Sequence, residues 1–222
     1  MRRVLEALVD TAGRVRVVSV GAGLDAEVLR LLEKYPKQVT AVELDVDDVA
    51  LLKREAIAQC GEARRIIDCA DDADWQRACG TASGAALGTA AAAGATKSAG
   101  PRLLVSTEAY RLVSVDVRGG AAVMDAALLL AARAGDVAAT TVVVSEVALV
   151  YVDGPTADAV RAWAARECDA WLELLPLLAD APFSRALAAG FKAAPMLSAV
   201  PTARDAVRAV CIWTLDLLST TV

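Results

Sequence analysis

The sequence predicts an α/β protein with a doubly wound, mostly parallel sheet, formed by a single domain over residues 1–222. Three observations predict this class. Strand-like and helix-like segments alternate along the chain, a glycine turn separates the first strand from its helix, and the strands are almost continuously apolar. Apolar strands of this kind suit a sheet that helices cover on both faces. A chain of 222 residues is also long enough to bury one sizeable core.

The first strand and helix meet at a short glycine turn. The β-branched run at residues 14–20 predicts a strand, and Gly21-Ala22-Gly23 follows it directly. A helical pattern then covers residues 25–35. Its apolar residues recur at helical spacing and predict a buried face that consists of Val28, Leu31 and Leu32.

A second strand and helix repeat this order. Residues 38–44 are typical of a strand, and residues 46–59 predict a helix. We expect this helix to bury its regularly spaced apolar residues, Val49, Leu52 and Ala56. Two consecutive strand–helix units at this spacing predict parallel pairing of their strands.

The middle of the chain contains a stretch without helical or strand periodicity. Residues 81–100 are almost wholly Ala, Gly, Ser and Thr, a composition that predicts a flexible insertion within the domain. The path of the wider region from residue 60 to residue 101 stays open at this stage.

After this stretch the alternating order resumes. The pattern predicts strands at residues 111–117 and from residue 140, and helices at residues 121–133 and 157–167. Residues 171–178 fit either a strand or a buried helix, because periodicity does not separate the two in a short apolar run. Helices are predicted once more at residues 183–191 and 202–210.

Composition excludes several classes of protein. The formal net charge of −5 disfavours nucleic acid as a partner, because such partners bind mainly through the phosphate backbone. The chain has no histidine, which excludes Ser-His-Asp and Cys-His catalysis and histidine-containing metal sites. Its five cysteines form no Cys-x-x-Cys pair, so we expect no metal and reduced thiols. No signal peptide or membrane-spanning segment is evident, and a cytoplasmic protein without a membrane partner is expected.

The glycine turn and the acid that follows the second strand are the first candidates for ligand binding. Gly21 and Gly23 precede a helix, where glycines let a ligand approach the backbone and free amides can bind it. Asp45 follows at close to the spacing of about 20 residues that separates the first glycine from the ribose-binding acid in dinucleotide folds. The alternatives are a simple tight turn for the glycines and a helix cap for Asp45.

Two further acids are predicted at the same edge of the sheet. Asp116 ends the third predicted strand, and Glu146 interrupts the apolar run of the fourth. A charged glutamate inside a buried strand is costly unless it is paired, so we expect Glu146 to face a cationic group of a ligand. Several acids beside a glycine turn suit a ligand with an adenosine part and a positive charge, such as S-adenosylmethionine.

Five blocks of sequence are together typical of one family, in their order and spacing. They are VVSVGAGLDAEVLRL (residues 17–31), AVELD (41–45), VSVDVR (113–118), VSEVALVYVDG with AVRAWAA (144–165) and PFSRALAAGFKAAPMLSAVPT (182–202). Through these blocks the chain resembles the leucine carboxyl methyltransferase family. That family includes the enzymes that methylate the C-terminal leucine carboxylate of type-2A protein phosphatase catalytic subunits.

The resemblance implies a class I methyltransferase fold, which is Rossmann-like, with S-adenosylmethionine across the strand ends. By position in the family's motifs, Gly21 of the glycine turn would contact the methionyl part and Asp45 the ribose hydroxyls. Asp116 and Val117 would frame the adenine. Glu146 would lie beside the cofactor.

The resemblance also implies a protein partner, the C-terminus of a phosphatase 2A catalytic subunit. We assign its carboxylate to Arg118 and Tyr151, for each of which a surface or core role is the alternative. No catalytic residue is assigned, because a peptide carboxylate, with a pKa near 3.3–3.7, is already ionised and needs no general base. Family members carry an N-terminal helical lid with a lysine and an arginine, and we expect this lid to be absent from the chain and activity to be weakened.

Two alternative functions stay open. One is the carboxyl methylation of the modified base wybutosine in transfer RNA, which the net charge of −5 disfavours. The other is a truncated or inactive relative that binds the cofactor without catalysis.

Overall fold

A computed structural model describes residues 1–83, 100–132, 139–174 and 211–212 of the chain. Its helices are α1 (Arg2–Ala12), α2 (Glu27–Lys34), α3 (Asp47–Gln59), α4 (Gly61–Ile66), α5 (Asp72–Ser83), α6 (Ala121–Leu130) and α7 (Gly154–Glu167). Its strands are β1 (Val15–Val20), β2 (Val39–Asp45), β3 (Arg102–Ser106), β4 (Tyr110–Ser114), β5 (Thr140–Glu146), β6 (Ala170–Leu174) and β7 (Cys211–Ile212). Short 3-10 turns follow β4 and β5, at Val117–Gly119 and Leu149–Tyr151.

The described strands form one sheet in the order β3-β4-β2-β1-β5-β6-β7. All neighbouring strands are parallel except β3 and β4, which pair antiparallel at one edge. The predicted α/β class with a mostly parallel, Rossmann-like sheet is therefore confirmed. Since β1 has β2 on one side and β5 on the other, the order of strands reverses beside β1. Ligands of such sheets bind beyond the carboxyl ends of the strands at that point.

Helices cover both faces of the sheet and form two hydrophobic cores. Val15 and Val17 of β1 belong to the core under α1 to α5, and Val18 and Val20 belong to the core under α6 and α7. Successive side chains of a strand point to opposite faces. Burial on both sides thus explains why four of the six residues of β1 are valines.

The region that the sequence left open, residues 60–101, contains two helices in its described part, and an edge strand follows it. Helices α4 and α5 follow α3 directly, and β3 precedes β4 as an antiparallel edge strand. Helix α5 continues to Ser83, where the sequence predicts that the insertion has already begun at residue 81. Residues 84–99 of the predicted insertion lie outside the described residues, as do the helices predicted at 183–191 and 202–210.

Two predicted strands differ in detail from those observed. The third predicted strand, 111–117, ends at Ser114 in β4, because Asp116 instead starts a 3-10 turn and its carboxylate accepts from the Arg118 amide (3.0 Å). Of residues 171–178, which the sequence left open between strand and helix, residues 171–174 form a strand, since Ala170–Leu174 pairs in parallel with β5; residues 175–178 lie outside the described residues.

The buried face of α3 is not the one that the apolar spacing predicts. Helix α3 buries Ala50, Lys53 and Ile57, whereas Leu52 is 56% exposed. The prediction for this helix was wrong by a rotation of about one residue. The physical reason is that Lys53 finds hydrogen-bond acceptors inside the protein, which the spacing of apolar residues does not reveal.

The residues before β1 form an amphipathic helix that packs on the sheet. Leu5 and Val9 of α1 are buried in the first core, and burial of each such side chain stabilises the fold by roughly 1.5–3 kcal/mol. Beside these apolar residues, Arg2 and Glu6 form ion pairs with α2, of which Arg2 to Glu27 is bidentate (both 2.5 Å). In the part of the chain that the structure describes, no helix combines the length and the apolar character needed to cross a membrane.

Candidate functional site at the carboxyl ends of the strands

The loop between β1 and α2, residues 21–26 (the β1–α2 loop), begins with two glycines in the left-handed region. Gly21 has φ +68° and Gly23 has φ +53°, conformations that favour glycine. The amides of Gly21 and Ala22 donate to the carbonyl of Leu44 in β2 (2.8 and 3.2 Å). A Cβ on Gly21 would lie 2.1 Å from the Cβ of Ala148, just beyond β5. Gly21 therefore allows the ends of β1 and β5 to approach closely.

Asp45, the last residue of β2, binds the β1–α2 loop. Its Oδ2 accepts from the Gly23 amide (2.7 Å), and its Oδ1 accepts from the Val46 amide (2.8 Å). Helix α3 has Val46 as its N-cap, so the alternative of Asp45 as the helix cap is not observed. The half-buried carboxylate stands instead between the ends of β1 and β2.

Beneath the loop lies a buried polar network that the sequence analysis missed. Lys53 of α3 donates to Glu43 of β2 and to two carbonyls of the loop, and Glu43 also accepts from the Tyr110 hydroxyl of β4. Burial raises the pKa of both Glu43 and Tyr110 above their usual values. A signal for Lys53 was present in the sequence, because it lies three residues after Ala50 and four before Ile57, on the same helix face.

Asp116 and Val117 follow β4 at the same edge as Asp45. The amide of Val115 donates to the Asp45 carbonyl (2.7 Å), which places Asp116 next to the end of β2. The Asp116 carboxylate accepts from Arg118 Nε and Nη2 (2.9 and 2.6 Å), and these hydrogen bonds lower the pKa of Asp116. Arg118, assigned from the sequence to the substrate carboxylate, is thus paired with Asp116 in this structure.

Glu146 is the last residue of β5, and it is exposed rather than held inside a buried strand. The expectation of burial was wrong because the backbone turns sharply at the next residue, Val147, whose φ is +60°. Partial burial still raises the pKa of Glu146 above its usual value. The nearby carboxylate of Asp25 adds to this effect, whereas the Met1 amino group opposes it.

Exposed apolar side chains surround the acids at this edge. Tyr151, also assigned from the sequence to the substrate, lies in the 3-10 turn after β5 and is 83% exposed. Leu24, Val46 and Val150 are exposed in the loops that follow β1, β2 and β5. The carboxyl edge thus combines carboxylates with uncovered apolar surface, which suits a ligand that has both charged and apolar parts.

The structure brings most of the assigned residues together through backbone contacts. The Gly23 amide donates to the Asp45 carboxylate. The Asp45 carbonyl accepts from the amide of Val115, the residue before Asp116. Gly21 lies against Ala148, two residues after Glu146. Tyr151 shares the edge without a side-chain hydrogen bond among the described residues.

Comparison with known proteins points to one family. Residues 1–165 match the family model described as Leucine carboxyl methyltransferase. The chain is also 28% identical over 148 residues to a protein of Eremothecium gossypii named Leucine carboxyl methyltransferase 1. That match covers 67% of this chain and 37% of the relative, so the chain spans well under half of that protein's length.

Proposed function

This chain belongs to the leucine carboxyl methyltransferase family, and on that premise we propose that it transfers a methyl group from S-adenosylmethionine to a carboxylate. The observation that supports the proposal best is the β1–α2 loop, whose Gly23 amide is bound to the strand-end carboxylate of Asp45. Acids lie at the carboxyl ends of β4, β2 and β5, on both sides of β1. Such an edge suits a nucleoside that carries positive charge better than one that carries phosphates.

The residues at the edge fit S-adenosylmethionine chemically. When bound, this cofactor supplies a methyl group on a positively charged sulfur. Asp45 would accept hydrogen bonds from the ribose hydroxyls, and Asp116 with Val117 would frame the adenine. Burial, together with the nearby carboxylate of Asp25, raises the pKa of Glu146, and a cationic ligand would relieve the repulsion between the two carboxylates. Gly21, Gly23 and Ala22 would present backbone to the methionyl part.

The reaction needs little from the protein beyond alignment. A carboxylate oxygen forms a bond to the methyl carbon while the bond from that carbon to sulfur breaks, so the products are a methyl ester and a neutral thioether. The acceptor carboxylate is ionised at neutral pH, and no proton has to be removed. A chain without histidine can therefore support this chemistry. The protein contributes by orienting the two reactants and by excluding water between them.

For the acceptor we propose the C-terminal leucine of a type-2A protein phosphatase catalytic subunit, methylated in the cytoplasm. Arg118 and Tyr151 stand at the edge where that carboxylate would enter. Arg118 already binds Asp116 through two nitrogens, so a substrate carboxylate would share its guanidinium. The exposed Tyr151 offers a hydroxyl donor and an apolar ring for the leucine side chain.

A binding and transfer experiment tests the proposal. S-adenosylmethionine is titrated into the protein by calorimetry, and methyl transfer to a phosphatase tail peptide ending in leucine is followed by mass spectrometry. The same peptide with an amidated C-terminus is the control, since it lacks the acceptor carboxylate. We expect binding of the cofactor and methylation of the free-acid peptide only. Binding without transfer to this peptide would point to another acceptor, and transfer to a wybutosine-containing transfer RNA would identify the alternative substrate.

Replacement of Asp45 tests the ribose assignment. Asp45→Ala should weaken S-adenosylmethionine binding by about 1.5–3 kcal/mol, because charge-assisted hydrogen bonds are lost. The protein should stay folded, since Asp45 does not cap α3. Asp48→Ala is a control, because Asp48 is exposed in the first turn of α3. Equal affinities of the Asp45→Ala variant and the unmodified protein would contradict the assignment.

A further inference from the structure

Lys53 of α3 is a buried lysine beside the β1–α2 loop, with 3% of its surface exposed. Its Nζ donates to the carbonyl oxygens of Asp25 (2.8 Å) and Ala22 (3.4 Å) and to Oε1 of Glu43 (2.8 Å). An ammonium group has three protons, so these three acceptors use its full donor capacity. Two of the three acceptors belong to the loop.

Glu43 holds this ammonium group in place. Its side chain is 1% exposed on β2, and its Oε2 accepts from the hydroxyl of Tyr110 in β4 (2.5 Å). The pair therefore sits between α3 and the sheet, with both carboxylate oxygens occupied.

Stability alone does not account for a charged pair at this position. Burial of two ions costs much of what their attraction returns, and apolar side chains of similar size are often at least as stabilising. Neighbouring positions on the same face of α3, Ala50 and Ile57, are apolar. An apolar residue at position 53 would fill the space, but it could not donate to the two loop carbonyls, and buried carbonyls need a donor.

We propose that Lys53 is a positioning residue for the cofactor site, which fixes the β1–α2 loop by holding the carbonyls of Ala22 and Asp25, with Glu43 as its counter-ion. The inference rests on the proposed function for the identity of the loop's ligand. The loop amide of Gly23 donates to Asp45, so a loop held by Lys53 also fixes the position of the Asp45 carboxylate, which we assign to the ribose.

A double variant separates loop positioning from stability. Lys53→Met leaves Glu43 buried without its counter-ion, so it should lower both stability and S-adenosylmethionine affinity. In the double variant Lys53→Met with Glu43→Gln, the buried charge is gone and Tyr110 keeps an acceptor. We expect its stability to recover in part, because the buried charge is gone, while its affinity stays weaker by about tenfold or more, because the loop carbonyls still lack their donor. Recovery of affinity together with stability would overturn the proposal.

A second ion pair with a buried carboxylate, Arg161 with Glu173, provides the control; its arginine is partly exposed. Arg161 of α7 binds the buried Glu173 through both carboxylate oxygens (2.8 and 2.9 Å). Glu173 lies on β6, which β5 separates from β1 in the sheet. The double variant Arg161→Met with Glu173→Gln removes this pair in the same way. Its affinity for S-adenosylmethionine should match that of the unmodified protein. An equal loss of affinity in this control would mean that loss of any buried ion pair weakens binding, and the proposal would be wrong.

Hydrogen exchange of the ligand-free protein tests the inference without S-adenosylmethionine. In the Lys53→Met with Glu43→Gln variant, the amides of residues 21–26 should exchange faster than in the unmodified protein and in the Arg161 control. Unchanged exchange in this loop would overturn the role of Lys53 even if the cofactor binds. If the unmodified protein does not bind S-adenosylmethionine, the proposed function fails, and the exchange rates alone decide the inference.

Discussion

Gly21 and Gly23 share left-handed backbone angles but face different surroundings. A methyl group on Gly21 would lie 2.1 Å from Ala148, whereas nothing lies within 4 Å of one on Gly23. Gly21→Ala should therefore cost about 2–4 kcal/mol of unfolding free energy, from backbone strain plus overpacking. Gly23→Ala should cost only the strain, about 1–2 kcal/mol. Urea unfolding of the two variants measures the difference.

Replacement of Ala148 is the control for this pair. In the Gly21→Ala background, Ala148→Gly removes the atom that the new methyl group would meet, so part of the lost stability should return. The same change should not rescue Gly23→Ala. If Gly21→Ala and Gly23→Ala were equally stable, the close approach of β1 and β5 at Gly21 would not constrain the loop.

At the residue scale, the sequence predicts candidate residues where spacing carries information and misses contacts that depend on burial. Gly21 and Asp45 could be proposed because the order strand, turn, helix and the distance to the next strand-end acid can be read from the sequence, and the structure places both residues at the same sheet edge. Lys53 was missed because a helical lysine is ordinarily solvated, which outweighed the signal given by its position on the same helix face as Ala50 and Ile57. The prediction of Glu146 at or near the carboxyl end of its strand is confirmed, but its exposure was missed, because a run of valines gives no sign that the chain turns at Val147.

At the element scale, α7 is fixed to the second face of the sheet by Trp163. This side chain is fully buried, and its Nε1 donates to Asp125 of α6 (2.8 Å). Trp163→Ala should cost about 3–5 kcal/mol of stability by leaving a cavity. Trp163→Phe keeps most of the packing and should cost about 1 kcal/mol for the lost hydrogen bond. Urea unfolding checks both values, and similar losses for the two variants would contradict a role dominated by packing.

The elements that the sequence predicted are those with a strong periodic signal. Strands β1, β2 and β5 are β-branched and bounded by turns, and α2 shows a clear apolar face. Helices α4 and α5 and strand β3 were not predicted, because each is short or lacks a regular apolar stripe. The face of α3 was predicted wrongly because one of its buried positions holds a charged residue.

At the scale of the whole molecule, the acidic edge predicts how cofactor affinity depends on pH. The pKa of Glu146 is raised by burial and by Asp25, so the carboxylate gains a proton at a higher pH than an ordinary glutamate. Affinity for cationic S-adenosylmethionine should therefore fall as the pH decreases through the raised pKa of Glu146, because the carboxylate loses its charge. Glu146→Gln should bind more weakly at pH 7 and show a flatter profile, measured by calorimetry at several pH values.

The raised pKa of Glu146 has the opposite effect on the stability of the ligand-free protein. A carboxyl group that binds its proton more tightly when folded favours folding at low pH, and this contribution is lost as pH rises through the folded pKa. Glu146→Gln should therefore not destabilise the ligand-free protein at pH 7. Glu55→Gln, on the exposed side of α3, is the control and should follow the unmodified profile in both measurements. A large loss of ligand-free stability in Glu146→Gln would assign Glu146 a structural role instead.

The antiparallel strand β3 has a consequence for how the molecules behave towards one another in solution. Every residue of β4 is buried, and β3 occupies the backbone groups along its outer side. Without β3, those groups would form an open template on which a second chain could add a strand. Val105→Pro in β3 should therefore cause light scattering that increases with protein concentration. Strand β3 is itself a poor template for another strand, because its register with β4 is irregular between Leu103 and Val105. Unchanged scattering would mean that other parts of the chain shield β4. Strand β3 thus protects the protein from self-association, and loss of its pairing with β4 would first be observed as association between molecules.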